Sequence, residues 1–569
     1  MRESTTETAA GLQRQGTQLR QRAQYAAAER CLLRALELEH DFAAAHLELG
    51  LTYRDQQRFE DATDYFQLAV HFAPDSVAGW LELGSALAKL GREEAAVAAC
   101  RQATALDPAN CAAWLALGNL LKAGDDWIAA IDCYRSAVAC EPRSEDAQSR
   151  LGYALYKAGY YVESRASFDA ALALRPDMVQ ARHNLGLMLL ETGHAEEALA
   201  CFKRALAIDP QIIETRACVA HALRDLGQFD EAIKAYDEVL VIEPGFSDAV
   251  VNRSYALLMK GDYLRGWTAY EQRFRSGGQV ARNFPYPSWQ GEPLAGKRLL
   301  IYAEQGLGDE IMFASCVKDV LPLAAHCVIE CNTRLAALFQ RSFPEAHVHG
   351  AGKNEDKRWL NAMPRIDFQV AIGSLPHHFR RAASAFPAQS GYLTAAAPRV
   401  GYWRTRLDAN ASLRVGIAWR GGTLRSRQFV RSIPLPQWAS VLRHKDVAFY
   451  ALQYGDIAAE LEDLHVRSDA IVKCLDSAVD DLDELAAIIG ALDLVISVDN
   501  TVSHLAGALG QPVWTLLPDS PEWRYPRSGN AMPWYPSMRL VHRRPGESWE
   551  PAIERVAIAL AGKLQPQGA

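Results

Sequence analysis

The sequence predicts an N-terminal superhelix of stacked helical hairpins followed by two doubly wound α/β domains, and three observations carry that prediction. Residues 34 positions apart keep the same character, from Thr6 and His40 through Pro74, Pro108, Pro142, Pro176, Pro210 and Pro244. A stretch rich in glycine and proline then ends the period: Ser276, Gly277, Gly278, Pro285, Pro287, Gly291, Pro293 and Gly296 suit neither helix nor strand. Beyond it, short apolar runs alternate with amphipathic segments, the pattern of parallel sheets covered on both faces.

Within the first part, three columns repeat with the same step. Gly16, Gly50, Gly84, Gly118, Gly152 and Gly186 form one. Ala28, Ala62, Ala96, Ala130, Ala198 and Ala232, interrupted by Ser164, form a second. Phe66, Cys100, Tyr134, Phe168, Phe202, Tyr236 and Tyr270 form a third. Small columns let paired helices approach, and the large column fills the gap between one hairpin and the next. Such a period denotes a helical repeat array. Together the columns resemble the tetratricopeptide repeat over residues 9 to 274, with a degenerate last repeat.

Composition bounds the rest. The chain has 569 residues, 49% of them apolar and 22% charged, the balance of a globular protein of two to four domains. A formal net charge of −8 provides no general attraction for nucleic acid or an anionic membrane. The start, MRESTTETAA, lacks the apolar core of a signal peptide, and no run of eighteen apolar residues occurs, so a cytoplasmic protein without membrane insertion is expected. The 11 cysteines show no paired CxxC clusters and read as reduced core residues.

In the second part the strand candidates are RLLIYAE (298 to 304), HCVIEC (326 to 331), RVGIAW (414 to 419), VAFYALQ (447 to 453), LVISV (494 to 498) and PVWTLL (512 to 517). A polar, Pro- and Ala-rich stretch at 382 to 412 divides them into two domains facing a cleft. The helix WEPAIERVAIALAGKL could pack on either. Ligands of such folds lie beyond the carboxyl ends of the strands, so the turns there are the places to look.

Three turns carry chemistry. Glu304-Gln305-Gly306-Leu307-Gly308-Asp309-Glu310 places an acid at a helix start, with Gly306 and Gly308 allowing close backbone approach. Ile311 stands where a dinucleotide fingerprint needs its third glycine, which argues against a dehydrogenase. A plain helix cap is the other reading of Asp309. The second turn, Arg420-Gly421-Gly422-Thr423-Leu424-Arg425-Ser426-Arg427 with Arg431, suits phosphate through backbone N–H groups and guanidinium forks. A solvated basic loop is its alternative. The third, Asp499-Asn500-Thr501-Val502-Ser503-His504, begins a helix suited to a diphosphate. There His504 could touch phosphate or simply satisfy a hydrogen bond.

Taken in order, the three turns resemble the glycosyltransferase B fold, a pair of Rossmann-like domains, and in particular its bacterial heptosyltransferase-like branch. With the repeats and the segments EQGLGDEIMF, WRGGT, RSIPL, LQYG, PEWRY and MPWYPSMRL, the chain resembles bacterial repeat-containing glycosyltransferases, some of whose relatives modify flagellin. The resemblance implies a repeat array at 9–274, a linker at 275–296, an acceptor-side domain at 297–412, a nucleotide-sugar-binding domain at 413–545, and a C-terminal helix and tail at 546–569. It also implies Asp309 as catalytic base, and donor binding by Gly421, Gly422, Thr423, Arg431, Gln453, Asp499, Asn500, Thr501 and His504. Asn500 and Thr501 depart from the branch's Thr and Gly, which bears on the donor's identity.

The implied reaction is an inverting, metal-independent transfer from a nucleotide-sugar co-substrate, with no other cofactor, to a protein acceptor held by the repeats, flagellin being one such acceptor. No Asp-x-Asp pair stands at a strand end in the cleft; Asp480, Asp481 and Asp483 precede a helix instead. The column that would form an asparagine ladder in protein O-linked N-acetylglucosamine transferases reads Glu48, Glu82, Ala116, Arg150, Asn184, Cys218 and Asn252, which points to a dedicated acceptor over generic backbone clamping. A glycan-building transferase and a scaffold with an inactive transferase domain are the alternatives. The Gly/Pro junction further suggests that a chain beginning near Pro287 keeps its donor site.

Overall fold

The computed structural model describes residues 8–274, 282, 284–352, 357–363, 365–388, 391–422 and 427–564. Ser276, Gly277 and Gly278 of the expected linker, and Thr423, Leu424, Arg425 and Ser426 of the expected basic loop, lie outside them. Helices of 13 and 14 residues alternate from Ala9–Gln21 to Phe229–Ile242, followed by Ser247–Lys260 and Tyr263–Tyr270. Several first helices of a hairpin begin on a side-chain cap, with Thr8, Ser76, Asn110 and Ser144 accepting from the backbone N–H three residues on.

The columns have direct structural causes. A Cβ on Gly118 would lie 2.6 Å from the Tyr134 ring, and one on Gly50 2.6 Å from Phe66, so each glycine seats the aromatic residue sixteen positions later. The proline column ends each hairpin, and the carbonyls of Pro74, Pro108, Pro176 and Pro210 are satisfied from six residues downstream. Trp80 Nε1 donates to Pro74 O at 2.9 Å, Trp114 Nε1 to Pro108 O at 2.9 Å, and Arg216 Nε to Pro210 O at 3.0 Å. Gly118→Ala is expected to cost about 1–3 kcal/mol by overpacking Tyr134, which is wholly buried. Urea unfolding of the full chain checks this, and an unchanged midpoint would show that the hairpin yields.

Contacts divide the chain into two compact units, ending and beginning at Met188 and Leu189. The first contains the earlier repeats, with Leu32, Leu49, Phe66 and Leu83 in one of its buried clusters. In its polar column, Glu48 accepts from Arg20 and Glu82 from Arg54, each an arginine 28 residues earlier. These glutamates are therefore committed to neighbouring hairpins.

The second unit contains the later repeats and both sheets. Four parallel strands, β1 (Arg298–Tyr302), β2 (His326–Asn332), β3 (His347–Ala351) and β4 (Phe368–Ala371), run in the order β3-β2-β1-β4. Seven more, β5 (Leu413–Ala418), β6 (Val447–Ala451), β7 (Val472–Lys473), β8 (Leu494–Val498), β9 (Val513–Leu517), β10 (Ala531–Met532) and β11 (Tyr535–His542), run in the order β10-β11-β9-β8-β5-β6-β7. Only β10 pairs antiparallel in this sheet. Strands β6, β8 and β9 are buried at every residue, as expected for strands covered on both faces.

The contact boundary thus falls within the repeats, away from the Gly/Pro-rich stretch. The reason is aromatic: Trp267 and Tyr270 of the last hairpin join the same buried cluster as Phe313 and Trp534. Trp267 Nε1 donates to Arg380 O at 2.9 Å, and Tyr255 stacks on Trp523 with ring centroids 5.0 Å apart. Helix Ala397–Arg406 precedes β5 in sequence yet packs against Leu482–Ala491 of the second sheet, where Trp403 Nε1 donates to Glu484 at 2.7 Å. The C-terminal helix Glu550–Leu564 also covers the second sheet, burying Ile553, Val556 and Leu560 with Val415, Ile417 and Leu516.

Candidate functional site

Sheet order places the site. Chain order reverses between β1 and β4 in the first sheet and between β5 and β8 in the second, and such switch points open a crevice at the strands' carboxyl ends. The three turns singled out from the sequence follow β1, β5 and β8. They meet because helix Leu307–Phe313 packs against helix Thr501–Ala508. Gly308 lies at that contact, where an added Cβ would come within 3.2 Å of His504. Gly306 does not share its role, since a Cβ there would make only ordinary contact with Asp309.

Asp309 is not a helix cap. Gly306 holds the N-cap position and no side chain caps this helix. The buried Asp309 carboxylate instead accepts from Arg524 Nε at 2.5 Å, across the cleft between the sheets. Burial opposes the charge on Arg524, but the Coulombic and hydrogen-bonded attraction of Asp309 holds its guanidinium well above the usual range. Arg524 is not among the residues the sequence motifs single out, although it lies in PEWRY after β9, where the strand-end rule applied to PVWTLL points to it.

Between β5 and β8 the backbones nearly touch. A Cβ on Gly421 would stand 2.5 Å from Asp499 O and 2.8 Å from Arg431 O, so only glycine fits. Gly422 has φ +73°, the left-handed conformation glycine tolerates best. Arg431 reaches both the Asp499 carbonyl at 3.0 Å and its carboxylate at 2.9 Å. Its other terminal nitrogen is 3.8 Å from Glu522.

Several predicted donor-binding side chains are committed within the protein. Gln453 Oε1 accepts from the backbone N–H groups of Trp419 and Arg420 at 3.1 and 2.8 Å, tying the turns after β5 and β6 together. Asn500 caps its helix by accepting from Ser503 N and donates to Arg420 O at 3.1 Å. Thr501 begins that helix, half-buried. His504 is buried, with Nδ1 3.0 Å from Tyr535 OH and Nε2 3.3 Å from Tyr525 OH. Burial pushes its imidazole down to about 4, so it is neutral at pH 7 and serves as a bridge between tyrosines.

Two arginines of the basic turn, Arg420 and Arg427, are likewise partnered. Arg420 donates to Tyr454 O and Asp456 O, both at 3.1 Å, and Arg427 is 3.4 Å from Asp225 of the repeats. Arg527, from the turn after β9, donates to the Asp225 carbonyl. Beside these turns a cavity of about 360 Å³ opens at the carboxyl ends of β6 and β7, lined by Gln453, Gly455, Asp456, Leu461, Cys474 and Val479 among others. The acidic run has structural duties: Asp481 caps helix Leu482–Ala491 and Asp483 pairs with Arg341. Among the described residues no group of three or more His, Cys, Asp or Glu side chains is arranged as a metal site, and no helix is long and apolar enough to cross a membrane.

Residues 478–549 match the glycosyltransferase family 9 (heptosyltransferase) model, a span containing Asp499, His504, Glu522, Arg524 and Tyr535. Tetratricopeptide-repeat models match 14–77, 77–110, 143–211 and 220–278. Protein FlbA of Caulobacter vibrioides is 34% identical over 326 residues, covering 54% of each chain. The chain thus spans about half the length of that curated relative. Among solved structures, a tetratricopeptide repeat protein from Parabacteroides merdae is 16% identical, with 41% of this chain and 93% of that one covered and a TM-score of 0.36. The repeat protein YrrB, described as having an unusual peptide-binding site, is 18% identical, with 32% and 95% covered and a TM-score of 0.30. This chain therefore joins tetratricopeptide repeats to a heptosyltransferase-like domain bearing a glycosyltransferase family 9 segment.

Proposed function

We propose that this protein is a glycosyltransferase that moves a sugar from a nucleotide-sugar donor to a protein acceptor recognised by its repeats, with flagellin the acceptor to test first. One observation carries the reading: an acid from the first sheet and arginine–carboxylate pairs from the second converge at both switch points, within and beside a family 9 segment. Family 9 membership of that segment supports glycosyl transfer as the reaction class.

In this mechanism the acceptor hydroxyl attacks the anomeric carbon while the bond from that carbon to the diphosphate oxygen breaks. The hydroxyl proton passes to Asp309, and the nucleoside diphosphate leaves with the electron pair. Arg431 and Arg524, each now held by a carboxylate, neutralise the developing phosphate charge by preorganised electrostatics. The Asp309 carboxylate is occupied by Arg524, so a donor diphosphate that draws Arg524 away leaves it free to accept from the acceptor hydroxyl. The cavity at the ends of β6 and β7 suits the donor's nucleoside end.

The test is thermal shift of the full chain against UDP, ADP, GDP and CMP sugars, since a saturating ligand stabilises by a few kcal/mol. Arg431→Lys keeps the charge beside Asp499 but loses the fork, and is expected to weaken donor binding by about 1.5–3 kcal/mol. No response to any donor would leave the scaffold reading in place of this one. An unchanged donor titration in the variant would remove Arg431 from the donor site.

A further inference from the structure

Resting on the transferase reading above, we infer that the last repeat supplies a positioning residue to the transfer site: Arg273 holds the turn that presents Asp309. Arg273 lies in the 3-10 turn Glu271–Phe274, which closes the final hairpin, and it is 1% exposed. Its Nη2 donates to Glu304 Oε1 at 2.8 Å and to Ser374 Oγ at 2.9 Å. Glu304 follows β1 and Ser374 follows β4, so a single guanidinium from the repeats joins the two turns that flank the switch point of the first sheet.

The junction is braced from both sides. Arg273 Nη1 donates to Glu271 Oε1 at 2.8 Å, and Ser374 Oγ donates to Glu271 Oε2 at 2.8 Å. Gln305, next along the turn, donates to Tyr270 OH of the same repeat. The Arg273 guanidinium also lies over the rings of Tyr270 and Phe274, at 4.3 and 4.0 Å from their centroids. The turn from Glu304 to Asp309 spans six residues and begins at this anchor, while among the described residues the Asp309 carboxylate at its far end pairs with Arg524 from the opposite lobe. When Arg524 moves to the donor, the Arg273 junction still fixes the start of the turn that leads to Asp309.

The test uses the full chain. Arg273→Met alone strands the buried Glu304 carboxylate and risks unfolding, so Arg273→Met/Glu304→Gln is measured beside it, with circular dichroism to establish folding. The expected result for the pair is donor affinity within twofold of the wild type, a turnover reduced roughly 10- to 100-fold by misplacement of the base, and faster hydrogen exchange across residues 304 to 309. Arg273→Lys should recover part of the turnover, since it restores a charge without the fork. A folded double variant with wild-type turnover, or with unchanged exchange in that turn, would overturn the assignment. A wild-type chain that transfers no sugar but whose turn loosens in the double variant would overturn the transferase reading and the catalytic meaning of the anchor, and would leave Arg273 a structural residue.

Discussion

Asp309→Asn is expected to lower sugar transfer roughly 10²–10⁴-fold while leaving donor affinity close to the wild type, the range typical of losing a general base. The substitution keeps size and shape, and an amide oxygen can still accept from Arg524 Nε, now 2.5 Å from the carboxylate. What disappears is the proton acceptor. Because the substitution also removes the charge that holds Arg524, donor binding should tighten slightly if it changes at all. Single-turnover transfer and a donor titration on the same preparation separate the two effects. Transfer at the wild-type rate would make the Asp309–Arg524 pair a purely structural bridge between the lobes.

Trp267→Ala is expected to cost about 3–5 kcal/mol, the usual loss when a buried tryptophan is truncated. Trp267 is 1% exposed and meets Phe313, Trp523 and Trp534 edge-on at centroid distances of 6.2, 6.1 and 6.1 Å. Phe313 ends the helix that carries Asp309, and Trp523 precedes Arg524, so both sides of the candidate site rest on this one ring. Denaturant unfolding followed by tryptophan fluorescence reads the loss. A shift below about 1 kcal/mol would mean that the neighbouring rings refill the gap. The same packing reverses the expectation for a chain that begins near Pro287. Such a chain would expose Phe313, Trp523 and Trp534 to water and strand the buried Glu304 without Arg273, and it should aggregate.

The repeat half was legible because its causes are local and recur. Gly16, Gly50, Gly84, Gly118 and Gly152 each meet the side chain sixteen positions on, and most of the proline-column carbonyls meet a donor six positions on, so the pattern appears in one dimension. Strands β1, β2, β5, β6, β8 and β9 were legible as apolar runs. No long apolar run marks β3, β4, β7, β10 or β11: β3 is HVHGA, β4 is the four residues FQVA, β7 and β10 are two residues long, and β11 mixes buried, half-buried and exposed positions and contains Pro536. Such segments become strands because a neighbouring strand offers its ladder, which no local pattern records.

By itself the sequence determined the repeat period, the change of architecture after Tyr270, and the three strand-end turns in which Asp309, Gly421 and Asp499 sit. Those features depend on neighbours close along the chain, or on the general rule that parallel sheets bind at their carboxyl ends. Only the tertiary structure decided what each side chain in the turns is for. It gave Asp309 an arginine partner 215 residues away, turned Gln453, Asn500 and His504 into internal ties, and set Arg273 of the last repeat against Glu304. A buried polar group must find its partner wherever the fold brings one, and that distance through space bears no relation to distance along the chain.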